Sequence, residues 1–114
     1  MRIWLSRPHM SGHEEAYVAE AFKSNFVAPI GPQLDAFEAS VSDSLGGAMH
    51  CVGLSSGSAA LHLALRLVGV EAGDDVWISS MTFAGGIFPV LYMGATPVFF
   101  DLDPASWTID VGLL

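Results

Sequence analysis

The chain is 114 residues long, enough for one modest core. A net charge of −8 with four basic residues in all leaves no cationic stripe to hold a phosphate backbone, which excludes nucleic-acid binding as a function class. Hydrophobic residues make up 52% and charged residues 14%, so the composition reads as part of a larger fold that would bury the excess apolar surface.

The first residues, Met1 to Pro8, lack the apolar run of a secretory signal. A single cysteine, Cys51, allows no internal disulfide and fits a reducing, cytoplasmic compartment. Ser11 with Glu14 three residues later has the spacing of a capping box and predicts a helix with Tyr17, Val18, Ala21 and Phe22 on one face. A turn-rich link from Asn25 to Gly31 follows. Pro32 suits the first turn of a second helix, with Leu34, Phe37, Val41 and Leu45 as its apolar face and Gly46-Gly47 as its stop. Both helices are amphipathic and are expected on a surface or against a partner.

The pattern changes at residue 48, which divides the chain into N-terminal helices (1–47) and the start of an α/β core (48–114). Met49 to Leu54 reads as a buried strand, and Ser55-Ser56-Gly57-Ser58 as the turn into a helix. That helix carries Leu61, Leu63, Leu65, Leu67 and Val68 nearly all round and is expected to be deeply buried. A polar turn around Gly73 leads to a strand at Val76-Trp77-Ile78. A further helix is predicted over Phe83 to Met93, with Pro89 near its start or kinking it, and then a strand at Val98-Phe99-Phe100. Val76 to Phe100 holds no charge and is long enough to span a bilayer, but Gly85-Gly86 and Gly94-Ala95-Thr96-Pro97 punctuate it as strand, helix and strand. Alternating strands and helices predict a mostly parallel sheet with helices on its faces.

In such sheets ligands bind beyond the carboxyl ends of the strands, where Ser55–Ser58, Ser79–Phe83 and Asp101–Asp103 are expected to converge. Gly57 and Ser58 could offer N–H groups and a hydroxyl to a phosphate at the positive end of a helix. Ser55 or Ser56 could equally be a plain N-cap. Phe83 reads as core or as a platform for a flat ring. Asp101 and Asp103 fit a turn before Pro104 better than a metal site, and His9 with His13 lacks the carboxylate or thiol that would complete a ligand set. His62 reads as a satisfied core histidine and Cys51 as inert. No catalytic base and no metal centre emerge.

Three segments resemble the start of the DegT/DnrJ/StrS family of sugar aminotransferases. They are Gly31-Pro32-Gln33-Leu34-Asp35-Ala36-Phe37-Glu38; Ser55-Ser56-Gly57-Ser58-Ala59-Ala60-Leu61-His62-Leu63-Ala64-Leu65; and Met81-Thr82-Phe83 followed by Gly94-Ala95-Thr96-Pro97-Val98-Phe99-Phe100-Asp101-Leu102-Asp103-Pro104. The resemblance runs from about residue 3 to the end, in order and with the family's spacing. It implies the aspartate-aminotransferase-like (PLP fold type I) large domain, present here as an incomplete, mostly parallel α/β sheet with flanking helices. It also implies pyridoxal 5'-phosphate as cofactor, with Gly57 and Ser58 at its phosphate and Phe83 stacked on its ring. A nucleotide-linked keto-sugar and an amino-acid donor would be the substrates and a homodimer the assembly, with Asn25–Gly31 near substrate and dimer contact. The family's Schiff-base lysine lies beyond position 114, and Lys23, the single lysine here, matches neither it nor the aspartate at the pyridine nitrogen. This chain alone is therefore expected to be inactive, and a non-catalytic interaction module docking through its first two helices is the alternative. The family's strand order also places later strands between the first and second, so the 49–54 strand is expected to lack sheet neighbours.

Overall fold

The computed structural model describes residues 6–113. It divides between Gly53 and Leu54 into two compact units.

The first unit is built on two helices, α1 (Glu14–Lys23) and α2 (Pro32–Ser44). The capping box forms only in half. Glu14 accepts hydrogen bonds from the Ser11 N–H at 2.6 Å, the Ser11 hydroxyl at 2.9 Å and the Gly12 N–H at 2.9 Å. The Ser11 hydroxyl does not return a bond to the helix, because Gly12, at φ +93°, turns the chain between them and leaves His13 as an N-cap without a side-chain bond. Pro32 opens α2 as expected, and the left-handed glycines Gly46 and Gly47 end it, with the Gly47 N–H donating to the Ser42 carbonyl at 2.9 Å. Gln33 Nε2 donates to the Tyr17 carbonyl at 2.7 Å and ties the two helices together.

Residues 49–54 are not a buried strand. Met49 and Val52 are exposed and the segment joins no ladder among the described residues. It is held along α2, where the Ser42 hydroxyl donates to the Met49 carbonyl and Glu38 Oε1 accepts from the Gly53 N–H at 2.6 Å. A strand needs a partner backbone, and the two strands among the described residues pair with each other.

The second unit contains α3 (Gly57–Leu67), β1 (Asp75–Ser79), α4 (Phe88–Tyr92) and β2 (Thr96–Phe100). β1 and β2 are parallel, in register from Asp75 opposite Thr96 to Ser79 opposite Phe100, with α4 in the connection between them. Trp77 and Phe100 pack across the pair with ring centroids 5.1 Å apart. Buried Pro89, Val90 and Ala95 form the small core where α4 meets the neighbouring chain. The expected Phe83–Met93 helix is two pieces, a 3-10 turn at Ala84–Gly86 and then α4, because Gly85-Gly86 favours a tight turn and Pro89 suits the first turn of the short helix. α3 forms where the sequence predicts it but is not deeply buried. No residue in it is fully covered, since α4 and the 3-10 turn shield only part of its apolar surface.

Candidate functional site

Ser56 is the N-cap of α3. Its hydroxyl accepts from the Ala59 N–H at 3.1 Å, and its carbonyl from the Ala60 N–H at 3.0 Å. The first bond satisfies one of the four donors that every helix start leaves open, and the second is the first regular backbone bond of the helix. The N–H groups of Gly57 and Ser58 keep no protein acceptor among the described residues. Cap and anion site are therefore compatible readings of one turn, because they use different donors.

The electrostatics around these two donors favour an anion. α1 places Glu14 and Glu15 in its first turn, and α2 places Asp35 there, whereas the first turn of α3 carries no carboxylate. The helix dipole leaves partial positive charge at that end, with no carboxylate in the first turn to offset it. A Cβ on Gly57 would meet nothing within 4 Å. The absence of a side chain there keeps space open in front of the helix, and nothing in the local packing demands it.

Ser58 and Phe83 meet at Gly85. The Ser58 hydroxyl donates to the Gly85 carbonyl at 2.9 Å. The position that a Cβ on Gly85 would occupy lies 2.9 Å from Ser58 Oγ and 3.0 Å from Phe83 Cδ1 and Cε1. Phe83 stands just ahead of the 3-10 turn, whose first bond runs from the Gly86 N–H to the Phe83 carbonyl at 2.8 Å. Phe83 is 87% exposed, so it is no core residue. The three residues singled out by sequence thus lie together: Gly57 and Ser58 at the helix start, and the largely exposed Phe83 beside them. Gly85 was missed. In the sequence it was legible only as half of a Gly-Gly break, and nothing in its spacing shows that it receives the Ser58 proton.

The remaining candidates stand outside this group. Asp101 accepts from the Leu102 N–H at 2.8 Å, and Asp103 accepts from the Ala105 N–H at 2.9 Å and the Ser106 hydroxyl at 2.9 Å, the turn the sequence predicts. The Ala105 N–H, followed by the Ser106 hydroxyl, holds the Asp103 carboxyl below its ordinary range. An open cavity of about 450 Å³ beside this turn is lined by Asp101, Leu102, Asp103, Pro104 and Trp107, and by none of the residues at the α3 start. His62 is half-buried and meets Tyr92 edge to face at 5.6 Å, while Cys51 lies in the unpaired 49–54 segment rather than in a strand. Among the described residues no His, Cys, Asp and Glu cluster could hold a metal ion, and no helix is long and apolar enough to cross a membrane. Lys23 is on α1, 3.8 Å from Glu20.

The model of the DegT/DnrJ/EryC1/StrS aminotransferase family matches residues 8–114. EpsN of Bacillus subtilis, provisionally named a pyridoxal phosphate-dependent aminotransferase, is 45% identical over 108 residues, covering 95% of this chain and 28% of its own length. GDP-perosamine synthase of Caulobacter vibrioides is 34% identical over 113 residues, covering 99% of this chain and 30% of its own. A provisionally named sugar aminotransferase of Streptococcus pneumoniae, solved in a PMP form and a PLP form, superposes with a TM-score of 0.77 at 28% identity, covering 99% of this chain and 28% of that one. The chain therefore spans less than a third of these relatives. What it shares with them is part of the α/β fold of the sugar aminotransferases, PLP fold type I.

Proposed function

The chain belongs to the DegT/DnrJ/EryC1/StrS aminotransferase family, and on that premise we propose that it supplies the phosphate and ring contacts of a pyridoxal-phosphate-dependent sugar aminotransferase. Residues 48–114 form the start of its cofactor-binding core. The whole protein moves an amino group from glutamate to a keto carbon of a nucleotide-linked sugar in amino-sugar or glycan assembly. The observation that carries this reading is the pair of unpartnered N–H groups at Gly57 and Ser58, beside the bare ring of Phe83.

The residues present fit the cofactor at both ends. Gly57 and Ser58 offer two aligned N–H donors and a positive helix end to a phosphate, with no side chain at Gly57 to block its approach. Phe83 offers an exposed aromatic face, which a pyridine ring can cover by offset stacking. When bound, pyridoxal phosphate supplies the electron sink on which amino transfer depends. Within this chain the contribution is binding and orientation alone. Lys23, on α1, is paired with Glu20, and no group at the α3 start can take or deliver a proton as a general base. The catalytic lysine of the reading belongs to sequence beyond residue 114, and the whole enzyme acts as a cytoplasmic homodimer.

The test uses the complete polypeptide encoded by the reading frame that carries this sequence. Supplied with glutamate, pyridoxal phosphate and nucleotide-linked keto-sugars, it should release 2-oxoglutarate in step with formation of the amino-sugar. Absence of transfer with every keto-sugar, together with capture of a protein partner by α1 and α2, would instead support the interaction module, which the exposure of Tyr17, Phe22 and Phe37 favours.

A further inference from the structure

We propose that Glu38 is a positioning residue for the cofactor's phosphate turn, acting through the backbone of Gly53. The proposal rests on the cofactor reading above and adds to it a residue outside the turn itself. Its basis is a stripe on one face of α2, Leu34, Glu38 and Ser42, spaced four residues apart so that they stack along the helix. All three grip the 49–53 segment. The Ser42 hydroxyl donates to the Met49 carbonyl, and the Gly53 N–H donates to Glu38 Oε1 at 2.6 Å in a partly buried bond. A Cβ on Gly53 would run into Leu34 Cδ1, so glycine at that position lets the backbone come down onto the helix.

Of these contacts, the bond at Gly53 bears on the cofactor. An N–H group that donates to a carboxylate makes a charge-assisted bond, stronger than one to a neutral acceptor. Glu38 is half-buried and forms no ion pair among the described residues, so its charge is met there by the Gly53 N–H. Only Leu54 and Ser55 separate Gly53 from Ser56, the N-cap of α3, which caps with an extended backbone at φ −163° and ψ 162°. A chain pinned at Gly53 and capped at Ser56 has little slack. The Gly57 and Ser58 N–H groups that follow are then in place before a phosphate arrives, and binding does not have to order them. With Gly53 released, residues 49–56 gain conformations that the phosphate must remove on binding. The coupling runs along the chain and needs no contact between Glu38 and the cofactor.

The test uses the complete polypeptide and two readouts: hydrogen–deuterium exchange at Gly53 in the cofactor-free protein, and the pyridoxal phosphate dissociation constant below the onset of thermal unfolding. For Glu38→Ala we expect exchange at Gly53 and the dissociation constant each to rise about ten-fold, the lower end of what a hydrogen bond to a charged group is worth. Glu38→Gln, whose amide carbonyl still accepts, should bring both back to within about three-fold of wild type. A role in stability alone would lower the unfolding temperature and leave the dissociation constant of the folded protein where it was. Gly53→Ala keeps the N–H but pushes the segment off Leu34, so it should repeat the loss of affinity, and it decides the matter if Glu38→Ala does not fold. Affinity within about two-fold of wild type in the deciding variant, exchange at Gly53 no faster than wild type, or no rescue by Glu38→Gln overturns the positioning role and leaves the cofactor reading standing. A wild-type protein that binds no pyridoxal phosphate overturns both.

Discussion

At the scale of single residues, the charges that matter here are set by backbone donors rather than by partner charges. Glu14 is the clearest case. Its carboxylate takes the Ser11 N–H first of all, then the Ser11 hydroxyl and the Gly12 N–H, and its pKa falls from 4.5 to about 2. Because the folded value is depressed, the contribution is fully present above the ordinary carboxylate pKa and is lost as pH falls through the folded value. The start of α1 should therefore stay ordered at pH 3. A carboxyl-carbon NMR titration of Glu14 with a midpoint close to 2 supports this, and a midpoint near 4.5 contradicts it. The capping-box spacing of Ser11 and Glu14 was legible in the sequence and did bring the two residues together. The direction of their bonds was not, because it depends on the left-handed φ of Gly12, which spacing does not encode.

At the scale of elements, what the sequence made legible is what local chemistry decides. Pro32 and Gly46-Gly47 bound α2, the small-residue turn opens α3, and β1 and β2 fall on their apolar runs. What it misread depends on distant partners. Residues 49–54 have the composition of a strand and no strand to pair with, and α3 has the apolar surface of a buried helix with too little chain to bury it. The start of α3 supports a separation of roles that can be measured. Ser56→Ala removes the acceptor for the Ala59 N–H and should cost about 1 kcal/mol of stability while leaving phosphate affinity nearly unchanged. Ser56→Asp keeps an acceptor at the cap but adds negative charge beside the Gly57 and Ser58 donors. It should preserve stability within a few tenths of a kcal/mol, roughly the spread among good caps, and weaken phosphate binding by at least about ten-fold. Urea unfolding and phosphate titration of both variants make the comparison. Equal loss of phosphate affinity in the two would show that the cap and the anion site are not separable.

At the scale of the whole molecule, the 52% hydrophobic composition and the family match fit one picture. The chain spans 28% of EpsN and 30% of the perosamine synthase, and large apolar side chains such as Leu67 and Phe83 stand exposed. The sequence could reveal the small-residue turn and the aromatic residue near it because both are local: one is a helix start, the other a single aromatic beside a tight turn. It could not reveal the bond between them, since Ser58 and Gly85 are brought together only by α3 packing on the turn after β1. The central claim is that the open N–H pair at Gly57 and Ser58 receives the cofactor phosphate. Its most direct measurement is the pyridoxal phosphate dissociation constant of Gly57→Val in the complete polypeptide, with thermal unfolding of the cofactor-free protein as control. A Cβ at Gly57 touches nothing within the chain, so the fold should hold, while the branched side chain should push a phosphate off both donors and weaken binding by at least about a hundred-fold, the worth of two charge-assisted hydrogen bonds. A Gly57→Val protein that folds and binds pyridoxal phosphate as tightly as wild type would contradict the account.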